Sequence, residues 1–189
     1  EGVNDYFLSK TKAEKAAWKL MDSKGLKNKL TMINPGGVFG DALDKKGGTS
    51  IEYVRQFLKG KFPAAPKWGI LISDVKDVAK AHVACIGNTK VGGRRLIVGK
   101  EVKKLIELSQ IMAEAMPEYA KKLPKKELPN FMVKLISLFD SSAKTLIPDL
   151  EIVMQTDTTY AEELLGLKFN PAKGCISETA KSVVRLGLV

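Results

Sequence analysis

The chain has 189 residues, enough for one domain with a sizeable core, and its 44% hydrophobic and 28% charged content is ordinary for a soluble globular protein. No run of about 18 apolar residues occurs, so no membrane span is expected, and the opening Glu1-Gly2-Val3-Asn4-Asp5 has neither a basic leader nor an apolar signal core. The formal charge is +10, but the lysines are scattered and not interleaved with aromatics, which predicts a solvated basic surface rather than nucleic-acid binding.

The first predicted element is a helix over Ser9–Met21, a run without Gly or Pro that is rich in Ala, Lys, Glu and Leu. Tyr6 and Lys10 stand four apart at its start, which puts a phenol and an ammonium side by side on one face. A free phenol has a pKa of about 10. A nearby ammonium favours the phenolate and lowers that value, moving the pair toward acid or base chemistry. The spacing alone is weak in a Lys-rich chain, and an incidental pair on an exposed helix is the alternative. The helix should stop near Ser23-Lys24-Gly25.

Lys29–Ile33 is β-prone and runs into Asn34-Pro35-Gly36-Gly37-Val38-Phe39-Gly40. A strand followed by a Gly/Pro-rich loop is expected there, as at the carboxyl edge of a parallel sheet, where α/β proteins place ligands. Bare glycines let a backbone approach a flat ligand, the alternative being a tight connection; the pattern is not G-x-G-x-x-G. Ser50 is the expected N-cap of a helix over Ile51–Leu58, stopped by Gly60.

Trp68–Ile72 is read as a short strand. Asp74 is the expected N-cap of the next helix, with Asp77 reaching back as in a capping box. Val75, Val78, Ala79, His82, Val83 and Ile86 follow helical spacing, so His82 is read as packed on this helix rather than as a base.

Arg94–Gly99 reads as a strand and Val102–Met116 as a helix ended by Pro117. Pro117–Pro129 reads as an irregular lysine-rich loop, and Phe131–Ile147 as a helix interrupted near Asp140. Asp157 should cap a helix through Tyr160–Leu165 closed by Gly166, and Ser177–Leu186 should form the last helix, closed by Gly187. Cys85 and Cys175 lie far apart without a C-x-x-C, so two free, buried thiols in a reducing, cytoplasm-like compartment are expected. His82 is the sole His and no carboxylate cluster accompanies it, so no metal site is expected.

Taken as a set, these residues resemble the extended short-chain dehydrogenase/reductase family (the NAD-dependent epimerase/dehydratase superfamily), in its dihydroflavonol-reductase and ketoreductase-like branch. The matching text is Tyr6-x-x-Ser9-Lys10 with Ala13-Glu14-Lys15-Ala16-Ala17-Trp18, then Leu30-Thr31 and Ile33-Asn34-Pro35-x-x-Val38-Phe39-Gly40. Asp74-Val75-Lys76-Asp77-Val78-Ala79-Lys80-Ala81-His82-Val83 continues it, with looser agreement at Pro117-Glu118-Tyr119 and Leu164-Leu165-Gly166. Asp41 follows Gly40 where the family usually has Pro, and Ser73 stands where Asp is common.

The resemblance implies an α/β fold: the C-terminal half of a Rossmann-type doubly wound parallel sheet (residues 1–99), followed by a mainly helical substrate-binding cap (100–189). It implies an NAD(P)-dependent oxidoreductase that reduces a small-molecule carbonyl to an alcohol, using NADP or NAD with NADP favoured. Tyr6 would donate the proton, and Lys10 would hold the nicotinamide ribose and depress the Tyr6 pKa. Pro35 and Val38 would pass close to the nicotinamide, with Ser50 a further cofactor contact. The Gly-rich turn and the catalytic Ser or Thr of the family are not in this chain, which is therefore expected to be the C-terminal part of such a protein. Tyr6 and Lys10 are expected to open onto one cavity with the Pro35–Val38 stretch. A non-catalytic accessory or scaffold subunit on the same fold is the alternative, and a homodimer or larger complex is left open.

Overall fold

A computed structural model of the chain describes residues 5–139, 143, 147–150 and 155–189. Seven helices are seen among them: α1 (Asp5–Ser23), α2 (Thr49–Leu58), α3 (Val75–Cys85), α4 (Leu105–Ala115), α5 (Asn130–Ile136), α6 (Thr159–Leu165) and α7 (Ala172–Arg185). The strands are β1 (Thr31–Pro35), β2 (Gly37–Phe39), β3 (Ala65–Pro66), β4 (Gly69–Asp74), β5 (Arg94–Val98), β6 (Glu101–Lys104) and β7 (Glu127–Leu128). β1 runs parallel to β5 with Pro35 opposite Val98, and β2 runs parallel to β4 with Val38 opposite Ser73. The short pair β3 and β7 is also parallel, while β6 lies antiparallel on the other edge of β4. This is the α/β architecture expected from the sequence, with strands where Lys29–Ile33, Ile70–Ile72 and Leu96–Val98 pointed.

The stretch expected to be a loop after β1 is instead a change of strand partner. The chain leaves β5 at Pro35 and joins β4 at Gly37, with Gly36 the single residue between. A Cβ at Gly36 would overlap the Leu71 carbonyl oxygen and crowd the Leu71 side chain, so the crossing needs glycine for closeness. The fully buried Ser73 hydroxyl bridges the junction: it accepts from the Gly36 N–H at 2.9 Å and donates to the Val98 carbonyl at 2.5 Å. Two backbone groups at the switch, the half-buried Gly36 N–H and the buried Val98 carbonyl, are thereby satisfied by one side chain.

One apolar cluster gathers Phe39, Val54, Phe57, Leu58, Ile72, Met112, Ile176 and Val183 between the β2–β4 strands and helices α2, α4 and α7. A second joins Ala81, Val91, Leu96, Val98, Leu165 and Phe169 around β5, α3 and α6. Two buried hydroxyls of α7 catch the chain as it leaves β2. Thr179 Oγ1 accepts from the Gly40 N–H at 2.7 Å, and Ser182 Oγ accepts from the Ala42 N–H at 3.0 Å.

Several expected details differ. Ser50 is not a cap: α2 starts two residues earlier than expected, at Thr49, and extended Gly48 occupies the N-cap position. Asp74 does cap α3, its carboxylate accepting from the Lys76 N–H at 2.8 Å. Asp77 makes no capping box; it is buried and accepts from the Asn170 backbone N–H at 2.5 Å and side-chain amide at 3.1 Å. This tertiary contact outcompetes a local turn because it satisfies two donors on the α6–α7 connection.

The α3 face is also rotated from expectation. Asp77 and Ala81 point inward, whereas Val83 and Ile86 are 69% and 81% exposed. His82 is exposed too, its Nδ1 held by the Val78 carbonyl at 2.7 Å. Glu101–Lys104 is strand rather than helix because its backbone pairs with the edge of β4, so α4 begins at Leu105. α6 takes Thr158 as its N-cap residue, although Asp157 still accepts from the Thr159 N–H at 2.9 Å. Gly166 closes it in the left-handed conformation as expected. α7 starts at Ala172, five residues before the expected Ser177. Of the helix expected over Phe131–Ile147, Asn130–Ile136 is seen; the interruption near Asp140 lies outside the described residues.

Replacing Gly36 by Ala forces a side chain into the β4 backbone. We expect Gly36→Ala to lower unfolding stability by about 1–3 kcal/mol, read as a lower denaturant midpoint at unchanged slope.

Candidate active site

α1 begins with the two residues singled out by the sequence. Lys10 Nζ stands 5.6 Å from the centroid of the Tyr6 ring, over its face, and Tyr6 is 62% exposed. Phe7 meets the Tyr6 ring edge-on at 5.7 Å. Among the described residues Lys10 has no carboxylate partner, so its ammonium donors are available to a ligand.

None of the 19 residues of α1 is buried; Glu14, Ala17, Trp18 and Met21 are half-buried, and polar contacts fasten the helix. The Glu14 carboxylate accepts from Arg95 of β5 through both Nε and Nη2, the latter at 3.1 Å. It also accepts from the Trp18 indole N–H at 3.0 Å. Asn34 of β1 joins this group in either orientation of its amide: through Nδ2 to Glu14 at 3.3 Å, or turned over, through Oδ1 accepting from Arg95 at 2.9 Å. In the sequence Glu14 and Trp18 stand out only as part of the matching Ala13–Trp18 text; the signal for Glu14 is its i, i+4, i+8 relation to Tyr6 and Lys10.

The remaining candidates fall on other elements. Pro35, immediately after Asn34, ends β1 exposed, and Val38 is half-buried in β2 beyond the partner switch. Ser50 is half-buried in the first turn of α2, the helix that packs on β2 and α7. The structure thus places Tyr6 with Lys10, and ties their helix through Glu14 to the residue before Pro35.

Two surface hollows, of about 240 and 360 Å³, are lined by Glu101, Lys103, Glu107 and Lys173 and by Asp74, Asn170, Cys175 and Glu178 respectively. Neither includes Tyr6 or Lys10. Both thiols are free; Cys85 is half-buried, and burial of Cys175 pushes its thiol up to about 12, too high for a nucleophile at neutral pH. Among the described residues no group of His, Cys, Asp or Glu is placed to hold a metal ion, and no helix is long and apolar enough to cross a membrane.

No family model matches the chain. It is 30% identical over 194 residues to the NADPH-dependent methylglyoxal reductase of Saccharomyces cerevisiae, covering 97% of this chain and 52% of that protein. It is 28% identical to cinnamoyl-CoA reductase 1 of Petunia hybrida, covering 97% of this chain and 49% of the relative. The crystal structure of yeast methylglyoxal/isovaleraldehyde reductase complexed with NADPH superposes with a TM-score of 0.67 at 26% identity, over 93% of this chain and 53% of that one. The chain's relatives are reductases of the extended short-chain dehydrogenase/reductase family. Its fold is that of Rossmann-type reductases, and it spans about half the length of the curated relatives it matches.

The Arg95 guanidinium holds the Glu14 carboxyl below its ordinary value against the opposing effect of burial, with the Trp18 and Asn34 donors adding to the shift. A carboxylate lowered on folding contributes stability that is fully present above its unfolded pKa, and that is lost as pH falls through the lower folded value. We expect the Trp18 contribution to fluorescence to change as pH falls below the ordinary glutamate value of 4.5, with no such step in Glu14→Gln.

Proposed function

We propose that this chain is the Tyr-Lys-bearing part of an NAD(P)-dependent carbonyl reductase, with NADPH the favoured cofactor and a small aldehyde or ketone the substrate. The observation that carries the reading is the Tyr6–Lys10 pair on a helix fastened to the parallel strands β1 and β5. The names of the relatives support it: a methylglyoxal reductase described as NADPH-dependent, and a cinnamoyl-CoA reductase.

The residues present suit a nicotinamide nucleotide in part. Lys10 offers an ammonium with no carboxylate partner among the described residues, able to donate to paired ribose hydroxyls. Pro35, Gly36 and Gly37 offer a stretch with little side-chain bulk at the end of β1. When bound, the cofactor supplies the hydride. Tyr6 gives its hydroxyl proton to the carbonyl oxygen as negative charge develops there. Lys10 orients the ribose with its ammonium donors. Pro35 and Val38 border the nicotinamide, and Ser50 is a further cofactor contact. Residues 1–99 serve as the C-terminal part of the nucleotide-binding domain, and 100–189 as the substrate-binding cap.

Tyr6→Phe in the complete protein removes the proton donor and keeps the ring. We expect kcat for NADPH-dependent reduction across a panel of aldehydes and ketones to fall by about 10²–10⁴-fold, with cofactor affinity changing far less. Lys10→Ala should weaken both, because its ammonium serves ribose and phenol alike. Equal turnover by wild type and Tyr6→Phe removes Tyr6 from the mechanism. Wild type that binds neither NADPH nor NADH favours the non-catalytic scaffold.

A further inference from the structure

Tyr6, Lys10 and Glu14 follow one another at four-residue steps along α1, so each stands one turn beyond the last on nearly the same face. The first two carry the proposed chemistry. The third is committed elsewhere: its carboxylate receives the Arg95 guanidinium and the Trp18 indole, with the Asn34 amide closing the group. Glu14 is also the better covered end of its ion pair, its side chain 20% exposed against 60% for Arg95.

We propose that Glu14 is a positioning residue for the Tyr6–Lys10 pair, fixing the rotation and tilt of α1 against β1 and β5 through Arg95, Asn34 and Trp18. The inference rests on the reductase reading above. The bidentate guanidinium–carboxylate contact fixes a direction as well as a distance between α1 and β5. Leverage makes the angle matter. Glu14 lies two turns from Tyr6, about 12 Å along the axis, so a tilt of about 5° about Glu14 moves the phenol by about 1 Å. A displacement of that size at a reacting group costs up to about 10²-fold in rate.

An isolated surface ion pair would contribute little, and its loss would leave kcat alone. Glu14 differs in the number of donors converging on one carboxylate and in what its helix carries. Arg95 comes from β5 and Trp18 from the helix itself, and Asn34 of β1 joins either Glu14 or Arg95, so the contact defines a direction as well as a distance.

The test compares the complete wild-type protein with Glu14→Gln, Arg95→Met and the exchanged pair Glu14→Arg with Arg95→Glu. The readouts are steady-state kinetics with NADPH, active-site titration, thermal unfolding, and hydrogen exchange of the α1 amides. Expected is a fall of about 10- to 100-fold in kcat for each single variant, with the KM for the carbonyl changing less than kcat. The unfolding midpoint should move by only a few degrees. Exchange across α1 should be faster in both single variants, and the exchanged pair, which restores the ion pair but offers Trp18 no acceptor, should recover part of the lost kcat.

Single variants that turn over at the wild-type rate overturn the proposal. So does a loss no larger than the fraction of inactive protein, or an exchanged pair no better than either single change. Wild-type protein that reduces no carbonyl with either cofactor instead brings down the reductase reading itself, and the positioning role with it.

Discussion

The backbone contact between Gly36 and Leu71 is the constraint on which the arrangement around β1 depends. A strand that changes partner must bring its backbone against the new neighbour within one residue, and any Cβ at Gly36 would overlap the Leu71 carbonyl. With glycine there, Pro35 can still face Val98 on β5 while Val38 already faces Ser73 on β4. The crossing strands polar groups that neither ladder can satisfy, and the Ser73 hydroxyl resolves this by accepting from Gly36 and donating to Val98. An ionised Asp, common at this position in the family the chain resembles, could accept but not donate, leaving the Val98 carbonyl without that partner. Serine at 73 therefore has a structural reason that its divergence from the family pattern did not reveal.

What the sequence disclosed was local. The α1 run, the β1, β4 and β5 segments, the Asp74 cap and the Gly166 stop each depend on neighbours a few residues away, and each was found where propensity and punctuation placed it. What it concealed was set by distant partners. Asp77 had a plausible local role in a capping box, but Asn170, remote in sequence, offered it two donors. Glu101–Lys104 had helical company downstream, but the free edge of β4 offered a ladder. α3 carries apolar residues around most of its circumference, so spacing alone could not decide whether Val83 and Ile86 or Asp77 and Ala81 face inward. Of the site, the Tyr6–Lys10 pairing was legible because it lies within one helix. The Glu14–Arg95 contact was not, since its partners are 81 residues apart.

Within this chain, which spans about half the length of its relatives, α1 makes mainly polar contacts. Its leucines and aromatics include Tyr6, Phe7, Leu8 and Leu20, all well exposed, and it contributes nothing fully buried to either apolar cluster. Within this chain its directional contacts are those of the Glu14 carboxylate and its donors. β1, the strand it leans on through Asn34, pairs with β5 alone among the described residues. The chain corresponds to about half of its relatives' length.

The Glu14 contact constrains the orientation of α1 in a way that apolar packing alone does not. Hydrophobic burial is non-directional and tolerates small rotations, while a bidentate guanidinium–carboxylate contact fixes a plane. The chemistry proposed for α1 needs that kind of constraint at its far end, because a phenol must meet a carbonyl oxygen at hydrogen-bond distance and an ammonium must reach both ribose and ring. Lys10 lies over the Tyr6 ring face rather than at its hydroxyl, and its four-carbon stem lets the ammonium swing between ligand and phenol without moving the helix. In the proposed site the backbone of α1 sets the position of the phenol while the long Lys10 stem adjusts to the ligand, so directional contacts at Glu14 bear on the phenol more than on the ammonium.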